Sequence, residues 1–269
     1  MGCPKRDTIA DEGSDLMGKV IAIINQKGGV GKSTTAINLS ACLGELGKRV
    51  LVVDFDPQGN ATSGFGIDKD ALERDVYDTL MNEVPMTEIV CASPVEGVDV
   101  APASIQLAGA EIELVSVMAR ESVLRYCLEG VRDVYDYVFV DCPPSLGLLT
   151  VNALVAADAL LIPIQCEYYA LEGLSKLLES MKMVKGRLNT GIEVFGVVMT
   201  MYDVRTSLSK QVVEEVRSYF KDKVFETVIP RNVRLSEAPS FGLPVSKYAP
   251  ASKGAIAYAA LAQEVVDRG

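Results

Sequence analysis

The 269-residue chain contains no histidine and no tryptophan. Without imidazole there is no Ser-His-Asp triad, no His-activated cysteine and no His-ligated metal site. Catalysis must then rest on carboxylates, Lys, Arg, backbone amides and a hard metal ion. No apolar run approaches the ~18 residues that a membrane-spanning helix needs. Residues 1–17 lack the apolar centre of a secretory signal, and Arg6 stands where N-myristoylation after Met1-Gly2 requires Ser or Thr. The six cysteines (Cys3, Cys42, Cys91, Cys127, Cys142 and Cys166) include no C-x-x-C pair. That spacing suits neither a zinc ribbon nor a disulfide framework and implies reduced, mostly buried thiols. Internal repeats, low-complexity segments and Gly/Ser linkers are also missing. The expectation is one domain over 18–269, preceded by a polar, disordered extension over 1–17.

Net charge is −10, which taken alone argues against a polyanionic partner. The distribution matters more than the sum. Residues 1–134 carry 12 Lys and Arg against 21 Asp and Glu, whereas residues 135–269 carry 14 against 15. The excess acid lies in the first half, and the second half has room for a local basic patch.

Five short runs are almost purely apolar: Val20–Ile24, Val50–Val53, Tyr137–Val140, Ala159–Ile162 and Val194–Met199. They do not alternate with polar residues, as expected of strands buried on both faces of a parallel sheet. Shorter strands are expected at Val98–Ala101 and Thr227–Ile229. Helical stripes lie between them at Leu171/Leu174/Leu178/Met181, Leu208/Val212/Val216/Tyr219 and Ile256/Ala260/Leu261. Residues 104–131 read as one long helix or two joined ones. Repeated strand-then-helix units predict an α/β fold, a mostly parallel twisted sheet flanked by helices on both faces.

The segment 21–35, IAIINQKGGVGKSTT, lies between the first apolar strand and a helical pattern, the context a phosphate-binding P-loop requires. Gly28, Gly29 and Gly31 permit positive φ and close backbone approach. The cradle Lys27, Gly28, Gly29, Val30, Gly31, Lys32, Ser33 and Thr34 then turns its N–H groups inward at a helix N-terminus. Lys32 supplies charge to the β- and γ-phosphates of ATP, and the Ser33 hydroxyl is placed for Mg²⁺. One position departs from G-x-x-x-x-G-K-[ST]: Gln26 stands where the first glycine belongs, and a second lysine, Lys27, precedes the glycines. Two core strands end in carboxylates, at Asp54 with Asp56 and at Asp141, which places acids beside the loop. Asp141 is expected to hold Mg²⁺ through a bound water. Asp54 and Asp56 are expected to point in different directions, so that only one faces the γ-phosphate.

Further motifs carry a resemblance. KGGVGKST is similar to the deviant Walker A signature of the ParA/MinD group. DFDPQGNATSG (54–64), IQLAGAEIEL (105–114), DCPPSLGLLTVNAL (141–154), QCEYYALEGL (165–174), TMYDVRT (200–206) and IPRNVRLSEAPSFG (229–242) resemble the chromosomal, Soj-type ParA proteins. The resemblance spans essentially 17–269. It implies a P-loop NTPase fold and an ATPase whose MgATP-dependent homodimer binds double-stranded DNA non-specifically. Slow hydrolysis, stimulated by a ParB-family partner, would reverse this in the bacterial cytoplasm, on the nucleoid. It further implies that Lys27 reaches the partner's ATP, with Gly28 at the dimer interface. Asp56 would position the attacking water beside Asp54, Pro230 and Asn232 would contact adenine, and Arg205 and Arg234 would contact DNA. The alternative, a MinD-like membrane- or protein-cycling ATPase, calls for a basic amphipathic tail. The terminal residues Ala262–Gly269 contain one basic residue, Arg268, so no membrane partner is expected.

Overall fold

The structure, a computed structural model, describes residues 18–167 and 172–269, and for 172–176 the backbone alone. The expected extension over 1–17, Cys3 and Leu171 lie outside the described residues, as does the side chain of Leu174. Eight strands form one sheet: β1 Lys19–Ile23, β2 Val50–Asp54, β3 Cys91–Ala92, β4 Val98–Ala101, β5 Tyr137–Asp141, β6 Ala159–Gln165, β7 Glu193–Tyr202 and β8 Val224–Pro230. Their order is β3-β4-β2-β5-β1-β6-β7-β8. Every pairing is parallel except that of the two-residue β3 with β4. Five strands fall where apolar runs predicted them and the two shorter ones match as well; β3 is too short to leave a pattern.

The runs are continuous because the sheet is covered twice. All five residues of β2 and of β5 are buried, and successive side chains go to opposite faces. Leu51, Val53, Val138 and Val140 enter one core, beneath the helices Leu148–Ala156 and Ser207–Phe220. Val50, Val52 and Phe139 enter the other, beneath Lys32–Glu45 and Lys253–Asp267.

Helix phases needed correction. On Ser207–Phe220 the buried stripe is Val212, Val216 and Phe220, whereas Leu208 and Tyr219 are exposed. On Lys253–Asp267, Ile256 and Ala260 are exposed, and Ala255, Tyr258, Leu261 and Val265 face the core. Six apolar residues in succession, 256–261, leave the phase open to the sequence. Tertiary contact selects it, including the Tyr258 hydroxyl 3.1 Å from Thr35 Oγ1. Residues 104–131 form two helices, Leu107–Glu113 and Val123–Glu129, with a 3₁₀ turn Leu114–Ser116 and Ala119 at φ +52° between them. Cys42, Cys127, Cys142 and Cys166 are free thiols. Cys91 is disulfide-bonded, against the expectation that all six are reduced.

One packing contact reverses a usual substitution effect. Alanine in place of glycine within a helix ordinarily stabilises by about 0.5–1 kcal/mol. In the helix Lys32–Glu45, a Cβ at Gly44 would lie 2.6 Å from the Glu96 carbonyl and 2.8 Å from Val98 Cγ2. Gly44→Ala is therefore expected to destabilise by about 1–3 kcal/mol, read as a lower urea midpoint.

Candidate functional site

Strand β1 lies between β5 and β6, where successive crossovers leave in opposite directions and a crevice opens at the strands' C-terminal ends. The loop 24–31 follows it and leads into the helix Lys32–Glu45. Side chains fix this loop from both sides. Asn25 donates to the Pro163 carbonyl at 2.8 Å and accepts from the Lys27 N–H at 3.0 Å. Thr200, at the end of β7, donates to the Val30 carbonyl at 2.8 Å. Gly29 and Gly31 have φ of +74° and +92°, conformations that need glycine.

The loop borders a cavity of about 730 Å³, lined on this side by Gly28, Gly29, Gly31, Lys32, Ser33 and Thr34, a size suited to a nucleotide-sized ligand. Val30 is buried behind it. Lys32 is 7% exposed and donates to the Lys27 carbonyl at 3.4 Å. Burial pulls its pKa down, while the neighbouring carboxylates of Asp141 and Asp56 oppose that shift. A desolvated ammonium at the floor of a cleft favours an anionic ligand.

The carboxylates divide into different environments. Asp141, at the end of β5, is fully buried, and neither of its oxygens has a hydrogen-bond partner. Burial pushes its pKa well up, and the neighbouring Asp54 charge adds to this, while the nearby Ser33 hydroxyl and Lys32 ammonium pull the other way. An orphaned buried carboxylate beside a hydroxyl fits a hard cation such as Mg²⁺. Asp54 stands opposite Asp141 across the β2–β5 pair. Its Oδ2 accepts from the Thr62 N–H at 2.7 Å and the Thr62 hydroxyl at 2.6 Å. Burial first, and the Asp56 charge, raise its pKa to about 6 against those hydrogen bonds. Asp54 does not line the cavity, whereas Asp56 does. Residues two apart within a strand share a face; these two diverge because β2 ends at Asp54 and Asp56 sits in the turn beyond.

The far wall comes from the ends of β7 and β8. Pro230 and Asn232 both line it. Asn232 caps the helix Val233–Glu237, accepting from the Arg234 N–H at 2.9 Å, which leaves its amide NH₂ available to a ligand. Sequence reasoning missed Met201, Gln58 and Pro144 as lining residues. Met201 has φ +52°, an uncommon conformation outside glycine that concentrates at functional sites. Its signal lay in the quoted TMYDVRT segment.

Lys27, Arg205 and Arg234 also lie off the cavity. Lys27 pairs with Glu167, Nζ to Oε2 2.9 Å. Arg205, 82% exposed, grips Asp203 through two bonds of 2.9 and 2.7 Å. Arg234 binds Glu237 at 2.7 Å. The two arginines follow adjacent strands, whose ends are tied by the Arg231 N–H on the Tyr202 carbonyl at 3.0 Å.

A family model described as an AAA domain matches residues 18–194. The chain is 60% identical over 253 residues to the sporulation initiation inhibitor protein Soj of Bacillus subtilis, covering 94% of this chain and 100% of that protein. It is 52% identical over 252 residues to the chromosome-partitioning ATPase Soj of Treponema pallidum, covering 94% and 98%. A solved structure of a cobyrinic acid a,c-diamide synthase from Mycobacterium smegmatis, with bound ADP and magnesium, is similar at a TM-score of 0.81 and 37% identity, covering 93% of this chain and 94% of that one.

The Thr62 hydroxyl holds Asp54 and also accepts from the Ala103 N–H at 2.9 Å. Thr62→Val keeps the shape but strands two buried groups, and it is expected to cost about 1–3 kcal/mol. Denaturant unfolding of the variant beside wild type measures this directly.

Proposed function

The chain belongs to the ParA/Soj family of chromosome-partitioning ATPases, and we propose that it works as an ATP-gated DNA switch. Two ATP-loaded copies close on each other, the pair holds DNA without regard to sequence, and hydrolysis releases it. The observation that supports this reading is that Lys27 does not line the cavity of its own chain. Lys27 is tied to Glu167, away from the cavity, whereas Gly28 lines the cavity mouth with nothing within 4 Å of a Cβ built on it. A lysine donated by a second copy completes such a site, by the logic of a trans-acting arginine finger.

Within each chain the geometry is consistent with these roles. The backbone over Gly28–Thr34 and the buried Lys32 ammonium hold the phosphates of ATP. Ser33 and Asp141, the latter through water, would hold Mg²⁺. Bound there, Mg²⁺ would neutralise charge on the phosphate oxygens. Asp56 orients the attacking water; it has no stronger base beside it, so hydrolysis is slow until a ParB-family partner stimulates it. Asp54 supports the turn that carries Asp56. Pro230 and Asn232 contact the base.

Arg205 and Arg234 meet DNA phosphates by exchanging their own carboxylates for phosphate. Each exchange gains little and is screened by salt, so doubling the arginines by dimerisation decides whether binding occurs. The protein then works in the bacterial cytoplasm on the nucleoid. Among the described residues no helix is long and apolar enough to cross a membrane. The apolar face of Lys253–Asp267 is buried in the core and is not free for a MinD-like membrane cycle.

The test is binding to a non-specific duplex at low salt with no nucleotide, ADP or ATP. Binding is expected with ATP alone and stronger in Asp56→Ala. Arg205→Ala and Arg234→Ala should each weaken it about tenfold or more. Gly28→Val should fold normally, bind ATP and fail to bind DNA. Equal binding in every nucleotide state, or none in any, would sink the proposal.

A further inference from the structure

The turn that carries Asp56 is held at its base and again at its outer edge. At the base, Asp54 accepts the two bonds from Thr62. Within the turn, the Asp56 carboxylate accepts from the Gln58 N–H at 3.0 Å, and the Asp56 carbonyl accepts from the Gly59 N–H at 2.8 Å. Gly59, at φ +61°, then starts the short helix Asn60–Gly64. Asp56, Gln58 and Asn60 all line the nucleotide cavity. Because Asp56 is bonded to the Gln58 N–H, any movement of Gln58 turns the carboxylate with it.

Gln58 is exposed, and its carbonyl is held by one side chain from outside the turn. Lys69 Nζ donates to it at 2.7 Å. Lys69 opens the 3₁₀ turn Lys69–Ala71, which Asp68 caps by accepting from the Asp70 N–H at 3.1 Å. Its aliphatic stem lies against Gly59, where a Cβ would stand 2.5 Å from Lys69 Cδ and 2.8 Å from the Ala103 carbonyl. Stem and ammonium thus close on two successive residues of the turn.

This bond is formed although carboxylates are near. Lys69 borders a second, smaller cavity of about 250 Å³ together with Asp70, Glu73, Asp75 and Asp78. An ammonium gains from meeting any of these charges. Asp75 and Asp78 are engaged in capping the helix Val76–Met81, and Asp70 and Glu73 do not pair with Lys69 either. The charge is given to the Gln58 carbonyl, and a hydrogen bond from a cation is stronger than one between neutral groups. Lys69 does not line the nucleotide cavity, so it reaches the reaction only through the turn. We propose that Lys69 is a positioning residue for ATP hydrolysis, holding the outer edge of the 56–60 turn so that the Asp56 carboxylate stays aligned on the attacking water; this rests on the role of Asp56 given above.

The test is steady-state ATP turnover of the full chain with Mg²⁺. Lys69→Met keeps the stem over Gly59 and removes the ammonium. Its kcat should fall about tenfold or more while KM stays within about twofold. Lys69→Arg supplies a cationic donor again and should return kcat to within about threefold of wild type. Both variants should melt with wild type. Asp56→Ala at wild-type turnover defeats the role of Asp56 itself. With Asp56→Ala slow, a wild-type kcat in Lys69→Met overturns the role of Lys69 alone. A raised KM with kcat unchanged also overturns it, and assigns Lys69 to holding nucleotide. Lys69→Arg as slow as Lys69→Met overturns it too, because the loss then follows packing and not charge. Should Lys69→Met melt below the assay temperature, Lys69→Gln is judged by the same kcat and KM criteria.

Discussion

Asp54 and Asp141 face each other on adjacent strands, in a part of the sheet that water does not reach. Two carboxylates so placed repel one another and lack hydration, and the surrounding structure disposes of the two charges differently. Asp54 is absorbed by the protein: Thr62 supplies an N–H and a hydroxyl, and the Asp56 N–H a third, longer donor. Asp141 is left without a donor, beside the Lys32 ammonium and the Ser33 hydroxyl. One acid thus becomes a strut for the turn that presents Asp56. The other stays without a partner, the environment that the proposed Mg²⁺ site uses.

The same division between settled and unsettled groups extends to the cations. Lys32 is buried and committed to the cavity. Arg205 and Arg234 are exposed and Lys27 is half-buried, each held by a carboxylate of its own chain, Asp203, Glu237 and Glu167. Exposed pairs of this kind contribute little to stability, so each can be exchanged for another anion at small cost. The proposed switch, built from such contacts, would be reversible, because no single step breaks a strongly held interaction.

Much of this was legible in the chain. The strands could be read because double burial erases polar residues from them, and the cradle because glycine at positions 29 and 31 answers a backbone need that local sequence states directly. Asp56 and Asp141 were visible as acids ending apolar runs. What escaped were features set by partners distant in sequence. The phase of Lys253–Asp267 depends on a contact with Thr35, and the cavity role of Met201 on where β7 ends against the P-loop. The separation of Asp54 from the cavity depends on Thr62 and on the strand ending where it does.

The sequence by itself determined the parallel sheet, the phosphate loop and the residue types available for chemistry. Each of these is a local matter of burial pattern, backbone freedom or side-chain inventory. Only the tertiary structure decided which of two similar aspartates would face a ligand and which lysine would enter the cavity. It also decided that one helix would keep an apolar face outward. Those outcomes depend on which groups meet across the fold and on how much water is left around them, and neither is written in any single segment of the chain.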